Sequence, residues 1–442
     1  MFKLNKLTQT LLATSITLCA GYASAAAFQL VEVSTSGLGR AYAGDAAIAE
    51  NASVVAVNPA LMTQFKRPEI SVGGIYIKPD VNLNGKIDSV NGIPMSAYAA
   101  AGVKDDASHN KIAKGGLIPN LYYVHPINEK FAVGGGVNVN YGLATEFDSG
   151  YSAGILAGKT DLTTVNFNLS GAYRLNQNWS LGLGLNAVYA DALVERHLGV
   201  RGTLANLSPA TRSLGLSEST VAARLEGKEW GYGWNAGVVY EFNERNRIGL
   251  AYHSHVDIKF KGDFSSQLPL AMGGTAGAVI PGSLTLNLPA YWEIAGLHRL
   301  TDKLAVSYSY KQTLWSRFKE LNAQGNDGSQ LFHKNENFKD ASRIALGVSY
   351  DFSEQFTLRT GIAHDESPVQ KGYHSISIPD ADRTWLSLGA TYRFTPDLSV
   401  DVGYAHLIAS DNTFTENDKG VKATFNSKSK ADIYGLTLNY RF

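Results

Sequence analysis

The chain has 442 residues, with 39 basic and 39 acidic side chains, 44 Gly, 22 Tyr, 18 Phe and one Cys. A net charge of zero without a Lys/Arg run argues against a nucleic-acid-binding protein. Beyond the N-terminus no stretch of about 18 apolar residues occurs, which excludes a helical membrane protein. The many glycines and aromatic residues instead predict an all-β chain.

The first 25 residues have the pattern of a secretory signal peptide. Lys3 and Lys6 precede an apolar stretch over 11–20, and the small residues at 23–25 suit a signal peptidase. The single cysteine, Cys19, lies inside this segment, after a leucine too large for a normal lipoprotein cleavage site. Removal of residues 1–25 therefore leaves a chain without disulfides, as expected for a bacterial periplasmic or outer-membrane protein.

Residues 26–67 form a segment with a different composition. The stretch 36–49 is rich in Ala and Gly and shows no period of two. Asn58, Pro59 and Ala60 predict a helix start, with Asn58 as the N-cap and proline at the first helical position. A partly helical segment of small residues has no place in a sheet, so we expect it to fill the lumen if the remaining strands close into a barrel.

From residue 68 to the end, strict alternation of apolar and polar residues predicts β-strands with one apolar face. In 131–141 every second residue is apolar or glycine, and the same pattern recurs in 165–174 and 248–260. The final strand ends on Tyr440 and Phe442, as expected for a strand that crosses a bilayer with aromatic rings at the interface.

Short turns and long connections alternate along this part of the chain, which is typical of outer-membrane barrels. The connections between the turns are long and polar, for example 80–116, 194–228, 262–282, 319–337 and 409–429. Two strands for each turn and one at each end give about fourteen antiparallel strands. A soluble β-sandwich is the alternative, but it would have to bury all the apolar faces in a second sheet. The six short polar turns lie at 128–130, 176–178, 243–246, 301–303, 353–355 and 395–397.

Eight segments spread over the mature chain resemble the FadL family of outer-membrane long-chain fatty acid transporters. The resemblance implies a fourteen-stranded barrel closed by an N-terminal hatch, with an inward kink of the third strand that opens a gap in the wall. It also implies passive transport of long-chain fatty acids or related hydrophobic compounds. The segments are FQL at 28–30, SGLGRAY at 36–42, NPAL at 58–61, YGLATEF at 141–147, LSGAYR at 169–174, WNAG at 234–237, LTLNLP at 284–289 and SISIPD at 375–380.

The resemblance also implies a carboxylate site. Arg196 and Lys334 occupy positions that contribute to the family's carboxylate-binding pocket, and Asp365 matches an acid that contacts the N-terminal segment near Phe28. A guanidinium offers two parallel N–H donors to a carboxylate, and an ammonium adds a point charge. The alternative is that both cations lie at loop bases and contact lipopolysaccharide or water.

The kink is placed at Asn138, Asn140 and Gly142. Glycine tolerates backbone angles that other residues avoid, and a break in the strand ladder leaves unpaired groups facing the lumen. An ordinary strand end is the alternative.

Loops 194–228 and 262–282 contain many apolar residues, and in the family they form the groove that first captures the ligand. The sequence departs most from the family pattern there, so it does not define the preferred chain length.

Enzyme functions find little support. The sequence has no G-x-S-x-G elbow and no H-E-x-x-H motif, and we predict no metal and no cofactor. His253 and His255 share one strand face, but two histidines without further metal ligands are ordinary polar residues of a barrel lumen.

Aromatic hydrocarbon uptake on the same scaffold and a porin or adhesin role are the alternative functions. We expect a monomer in the bacterial outer membrane, with a hydrophobic ligand, membrane lipid and lipopolysaccharide as partners.

Overall fold

The computed structural model describes residues 27–442, and the predicted signal peptide lies outside them. Among these residues, no helix combines the length and apolar character needed to cross a membrane. The helices are short: α1 Thr35–Leu38, α2 Val54–Val57, α3 Val200–Ala205, α4 Pro209–Arg212 and the 3₁₀ turns Asp45–Ala47, Pro59–Gln64, Met95–Ala101, Leu270–Met272 and Trp315–Arg317.

Fourteen antiparallel strands close into a barrel, as the sequence predicts. Each strand pairs with the next along the chain, and β14 pairs with β1 from Glu69↔Arg441 to Val90↔Val421, which closes the ring. A two-residue strand, Ile93–Pro94, folds back on β1. The barrel strands are β1 Glu69–Val90, β2 Gly116–Pro126, β3 Phe131–Asn138 with Gly142–Glu146, β4 Lys159–Arg174, β5 Trp179–His197, β6 Val221–Asn243, β7 Asn246–His253 with Val256–Ser265, β8 Val279–Leu288 with Tyr291–Arg299, β9 Leu304–Thr313 with Glu320–Gly325, β10 Gln330–Asn335 with Ala341–Asp351, β11 Phe356–Asp365, β12 Arg383–Arg393, β13 Leu398–Ala409 with Asn412–Asp418 and β14 Val421–Arg441.

Two aromatic girdles mark the part of the wall that faces lipid. On β6, Trp230 packs against Tyr189 at 5.2 Å between ring centroids, and near the turn Tyr240 packs against Trp179 at 4.6 Å. Ten residues separate Trp230 from Tyr240; at about 3.3 Å per residue and a tilt of about 40°, they span about 25 Å, the height of an outer-membrane apolar band.

All six predicted turns are confirmed as short links between consecutive strands. The predicted long connections are wrong in extent, because many of their residues continue the strands outward. The connection assigned to 194–228 spans only 198–220, and the one assigned to 262–282 spans 266–278. Beyond the membrane both faces of a strand contact polar surroundings, so the apolar alternation that identifies a strand is lost there.

Residues 27–65 lie inside the ring of strands and are almost entirely buried. Their backbone is held from several sides of the barrel: the Arg343 guanidinium on β10 donates to the Ala41 carbonyl at 2.9 Å, and the Thr437 hydroxyl on β14 donates to the Thr35 hydroxyl at 2.7 Å. The predicted helix start is confirmed, since the Asn58 side chain accepts from the Ala60 N–H at 3.1 Å and a 3₁₀ turn begins at Pro59.

The helix start touches the wall directly. The Asn58 amide donates to the Ala46 carbonyl at 2.7 Å and to the Val238 carbonyl of β6 at 3.3 Å. A methyl group added at Gly182 on β5 would lie 2.3 Å from the Ala60 nitrogen, so only glycine lets the two backbones approach this closely. Asn58, Pro59 and Ala60 therefore lie in the lumen, against β5 and β6.

Strand β3 is interrupted between Asn138 and Gly142. The sequence alternation predicts that Val139 and Tyr141 face lipid, but both side chains are buried inside the barrel, at 1% and 4% exposure. The lipid-facing side of β3 therefore ends before the interruption. The apolar character of these two residues suits a lumen core as well as it suits lipid, which is why periodicity alone misplaces them.

Candidate functional site

A cavity lined by apolar side chains lies on the extracellular side of the lumen. It has an empty volume of about 780 Å³, part of it open to solvent. The walls are formed by residues of β3 to β10, including Leu162, Phe260, Leu284 and Leu321. An apolar cavity with few polar groups is suited to an alkyl chain.

Phe28 forms part of the base of this cavity. Its ring makes edge-on contacts with Trp315 and Phe318, at 4.8 and 5.3 Å between centroids, and a tilted contact with Tyr141 at 6.3 Å. Edge-on aromatic pairs of this kind contribute about 0.5–1.5 kcal/mol each beyond burial. Phe28 is thus held at the cavity by non-covalent aromatic contacts alone.

The same segment covers the interruption of β3. The Gly142 N–H donates to the Phe28 carbonyl at 2.9 Å, and the Leu30 N–H donates to the Asn140 carbonyl at 2.7 Å. Gln29 and Tyr141 form an antiparallel bridge between these two bonds. Residues 28–30 therefore act as a short strand that satisfies the backbone groups freed by the interruption.

Asn138, Asn140 and Gly142, the residues predicted for the kink, all lie at the interruption. The Asn138 amide bonds to the Asn140 side chain across the break, and its oxygen accepts from Asn166 on β4 at 3.1 Å. Further amide bonds connect Asn166 to Asn186 on β5. One edge of the interruption is therefore held by a chain of side-chain amides.

Arg196 lies at the extracellular end of β5, beyond the girdle residue Tyr189. Its guanidinium donates to the Glu195 carbonyl at 2.9 Å and to the Thr160 hydroxyl at 3.2 Å, and it lies 5.9 Å from the Phe332 ring centroid. Thr160 belongs to the cavity wall, whereas Arg196 itself is 6% exposed and lies behind that wall. The cation is thus one side chain away from the apolar cavity.

Lys334 lies in the extracellular hairpin of β9 and β10, where it forms an ion pair with the buried carboxylate of Glu416. Glu416 also accepts from the Ile376 N–H at 2.9 Å, and Asp418 lies 3.9 Å from the Lys334 ammonium. Burial alone would lower the pKa of Lys334, but Glu416 and Glu336 outweigh it and raise the pKa. Burial lowers the pKa of Arg196, although the same two acids oppose it.

Glu336 completes this cluster. Its side chain is buried at 1% exposure, and neither carboxyl oxygen has a hydrogen-bond partner among residues 27–442. Burial and the negative charge of Glu416 raise the pKa of Glu336 to about 8, although Lys334 and Arg196 lower it. Glu336 is therefore neutral at pH 7, and the cluster contains a carboxyl group that does not compete for the two cations.

Asp365 lies at the end of β11 and faces Arg383, with 3.6 Å between its Oδ2 and the Arg383 Nη2. Asp380 lies 3.1 Å from the same guanidinium nitrogen. The Ala27 N–H, next to Phe28, bonds to Asp380 rather than to Asp365. The structure thus places Asp365 next to the acid that holds the N-terminal segment, and assigns the direct contact to Asp380.

Sequence reasoning does not single out Glu336, Glu416 or Asp380 as site residues. Glu336 lies two residues after Lys334, and Asp380 is the last residue of the SISIPD segment. Their closeness in sequence to positions that resemble the family could have identified both as candidates. Glu416 had no such signal, because it lies 82 residues from Lys334 in sequence and reaches it only through the hairpin of β13 and β14.

A second, polar cavity lies at the periplasmic end of the lumen, below the N-terminal segment. It has an empty volume of about 960 Å³ and is lined by Glu50, Asp351, Asp401 and five arginines. Glu50 receives the Arg359 side chain of β11 at 3.2 Å and also pairs with Arg40. A fatty acid tail that passed through this cavity would have to pass these five guanidinium and three carboxylate groups. The arginines are Arg247, Arg299, Arg359, Arg393 and Arg441.

The predicted capture loops carry exposed apolar side chains. Leu207 and Leu214 are exposed in the connection 198–220, and Leu270 and Met272 in the connection 266–278.

His253 bonds to the Ala56 carbonyl at 3.0 Å and stacks on Tyr291, so it supports the N-terminal segment. Across residues 27–442, no group of three or more His, Cys, Asp or Glu side chains is arranged to hold a metal.

Comparisons with known proteins match this chain to one family of outer-membrane proteins over nearly its whole length. The family model described as "Outer membrane protein transport protein (OMPP1/FadL/TodX)" matches residues 16–442. The 47 kDa outer membrane protein of Pasteurella multocida strain Pm70 is 57% identical, over 100% of both chains. The long-chain fatty acid transport protein of Escherichia coli O6:H1 is 46% identical over 98% of each. A solved Pseudomonas aeruginosa FadL homologue superimposes with a TM-score of 0.83 at 25% identity, covering 94% of this chain and 100% of that one.

Proposed function

Because the chain belongs to the outer membrane protein transport family (OMPP1/FadL/TodX), we propose that it carries long-chain fatty acids passively across the outer membrane. The observation that supports this most strongly is the double contact of residues 28–30. Phe28 forms part of the base of the apolar cavity, and the backbone on either side of Gln29 covers the interruption of β3. In this proposal, a ligand that displaces Phe28 therefore also exposes the interruption of β3.

The contacts that hold residues 28–30 in place are weaker than the burial of a long alkyl chain. Two edge-on aromatic contacts of Phe28 and two backbone hydrogen bonds hold residues 28–30 with about 2–6 kcal/mol in total. Burial of an alkyl chain supplies about 0.8 kcal/mol per CH₂, so about a dozen CH₂ groups supply about 10 kcal/mol. A long-chain ligand thus has enough binding energy to open the segment, whereas a ligand with one or two CH₂ groups, which supply about 1–2 kcal/mol, does not.

The proposed route has three stages. Apolar side chains in the connections 198–220 and 266–278 capture the ligand, and the apolar cavity takes up its tail while Arg196 and Lys334 attract its carboxylate. The N-terminal hatch, assigned to 26–67, then shifts at residues 28–30, and the tail leaves sideways at Asn138, Asn140 and Gly142. Sideways exit into lipid avoids the arginine-lined periplasmic cavity, where each exposed CH₂ would lose about 0.8 kcal/mol of burial.

In this proposal Asn58, Pro59 and Ala60 anchor the hatch to β5 and β6, and Asp365 orients Arg383, which binds the Asp380 carboxylate near Ala27. The cation pair near the cavity favours an acid over a neutral aromatic hydrocarbon, because buried Arg and Lys side chains gain little from an uncharged ligand. We further propose that the protein acts as a monomer and contacts lipopolysaccharide from the barrel exterior.

The role of the cation pair can be tested with two ligands of equal length. We expect Arg196→Ala and Lys334→Ala each to weaken oleate binding by about 1.5–3 kcal/mol, since each removes a charged hydrogen bond, and to change oleyl alcohol binding much less. Calorimetry on the purified protein measures both. An equal loss for acid and alcohol would assign the two residues to packing.

The buried carboxyl of Glu336 predicts a pH dependence. Its raised pKa, about 8, means that about nine-tenths of it is neutral at pH 7 and that it becomes negative as the pH rises through 8. A negative Glu336 competes with an anionic ligand, so binding should weaken between pH 7 and pH 9 by about tenfold, the effect of one partly screened like charge. A long-chain alkyl sulfonate is the suitable ligand because its own charge is constant.

Glu336→Gln is the matched variant for this measurement, because its side chain has nearly the same shape and stays neutral. It should bind the sulfonate at pH 9 as tightly as the unmodified protein does at pH 7. A persisting tenfold loss in Glu336→Gln would show that another group causes the pH dependence.

A further inference from the structure

We propose that Lys228, Lys259 and Lys261, which we term the lysine patch, bind the phosphate groups of the phosphorylated glycolipid in the outer leaflet. The patch lies on the lipid-facing side of β6 and β7, just beyond the extracellular aromatic girdle. It is separate from the transport route and rests only on the outer-membrane location of the barrel.

On β6 the orientation of Lys228 follows from its neighbours. Trp230, Tyr232 and Trp234 alternate along the same face of the strand and are all exposed, with Tyr232 at 72%. Lys228 continues this face by one more step of two residues, about 7 Å farther from the membrane centre. An exposed lysine directly above such a girdle lies at the depth of lipid head groups.

On β7 the intervening residues give the orientation. Val256, Ile258 and Phe260 are buried in the lumen, at 0–6% exposure. Lys259 and Lys261 alternate with them and therefore point outward, where both are exposed. Two cations thus follow each other on the lipid-facing side of one strand.

The register brings the two strands' lysines together. The pairing of β6 with β7 ends at Gly262↔Gly227, and Lys261 and Lys228 are the residues that directly follow this last pair on the two strands. Below that point the two strands stay in side-chain contact, because a methyl group added at Gly231 would lie 2.5 Å from the Val256 side chain and 2.9 Å from that of Ile258. Lys259 lies two residues from Lys261 on the same face of β7, about 7 Å nearer the membrane centre.

Like charges directly opposite each other destabilise a strand pair. Lys228 forms one ion pair, with Asp191 of β5 at 2.9 Å. Lys259 and Lys261 have no ion-pair partner among the residues that the structure describes. An anion between the strands would offset the repulsion, and the membrane offers one at this depth, the phosphate of a lipid head group.

The remaining side chains around the patch suit a phosphate as well. On β8, Thr285 pairs with Lys259 and Ser283 with Lys261, so two hydroxyl groups border the cations. The nearby acids flank the patch on both sides. One step farther out, Glu226 is held by Arg224 at 2.8 Å and Asp263 pairs with Pro281 of β8. One step nearer the membrane centre, Asp257 is held by Arg317 at 2.5 Å. At the level of the patch, three cations face one carboxylate.

Titration of the delipidated full-length barrel with lipid A that carries two phosphates tests the proposal, with tryptophan fluorescence as the signal, since Trp230 borders the patch. We expect the triple variant Lys228→Gln, Lys259→Gln, Lys261→Gln to bind at least about tenfold more weakly than the unmodified protein. Fully dephosphorylated lipid A should bind both proteins equally. The three single variants repeat the test if the triple variant lacks the heat-modifiable gel mobility of a folded barrel.

The matched control replaces three lysines at the periplasmic end, Lys66→Gln, Lys130→Gln and Lys303→Gln, which outer-leaflet lipid does not reach. This variant should bind lipid A as the unmodified protein does. Equal affinity in the patch variant and the control variant would overturn the proposal. So would displacement of lipid A by millimolar inorganic phosphate, since that result would assign the patch to free anions.

Discussion

Oleate uptake should fall to background when Gln29→Cys and Tyr141→Cys are joined by a disulfide, and should recover on reduction. Gln29 and Tyr141 form the antiparallel bridge between the Leu30–Asn140 and Gly142–Phe28 hydrogen bonds, which makes them a non-hydrogen-bonded pair. Such pairs have Cα atoms about 4.5 Å apart, within the range of a disulfide. The bond would hold the N-terminal segment across the interruption in every ligand state.

Residues 27–442 contain no cysteine, so the engineered pair has no competing thiol. The two single-cysteine variants are the controls and should transport under both redox conditions. Calorimetry should still detect oleate binding to the oxidised protein, because strand side chains form most of the cavity. Full uptake by the fully oxidised double variant would show that residues 28–30 need not leave the interruption.

Asn138→Arg should also abolish uptake while leaving oleate binding to the purified protein within about threefold of its normal value. Asn138 is buried at the edge of the interruption, and an arginine there would place a long charged side chain in the path of an alkyl chain. The neighbouring residues Asn140 and Asn166 carry neutral amides and no carboxylate, and a buried charge without an ionic partner costs several kcal/mol. The apolar cavity lies elsewhere in the lumen, so capture should persist.

Asn138→Ala is the matched control, since it removes the same bonds to Asn140 and Asn166 without filling the space. Both variants should lose about 1–3 kcal/mol of stability from the broken amide bonds. Only Asn138→Arg should lose uptake at equal surface abundance. Equal uptake by the two variants would contradict a route through this part of the wall.

The barrel could be predicted from the sequence because the membrane imposes two simple regularities. Lipid requires an apolar side chain at every second position, and the chain obeys this from Trp179 to Leu185 and again near Phe442. The periplasmic turns are short and polar, which makes the strand number countable. The helix start at Asn58 and Pro59 was predictable for a similar reason, because an N-cap residue followed by proline favours a helix start whatever the tertiary contacts are.

The site could be predicted only in part, because its contacts are not local. Val139 and Tyr141 continue the apolar alternation of β3, and only the tertiary structure shows that they turn inward to meet residues 28–30. Lys334 matched a family position, but its partner Glu416 reaches it from a hairpin distant in sequence. Periodicity carries no signal for such pairs.

A fatty acid with a photoreactive diazirine at its methyl end would test the exit route most directly. Crosslinking in outer-membrane vesicles during uptake, followed by peptide mass spectrometry, would identify the side chains that the leading end of the tail passes. Sideways exit predicts crosslinks at residues 138–142 and 28–30, and none at Arg247 or Arg359 in the polar cavity at the periplasmic end. Crosslinks concentrated on those arginines, with residues 138–142 unlabelled, would contradict sideways exit and place the route through the lumen floor.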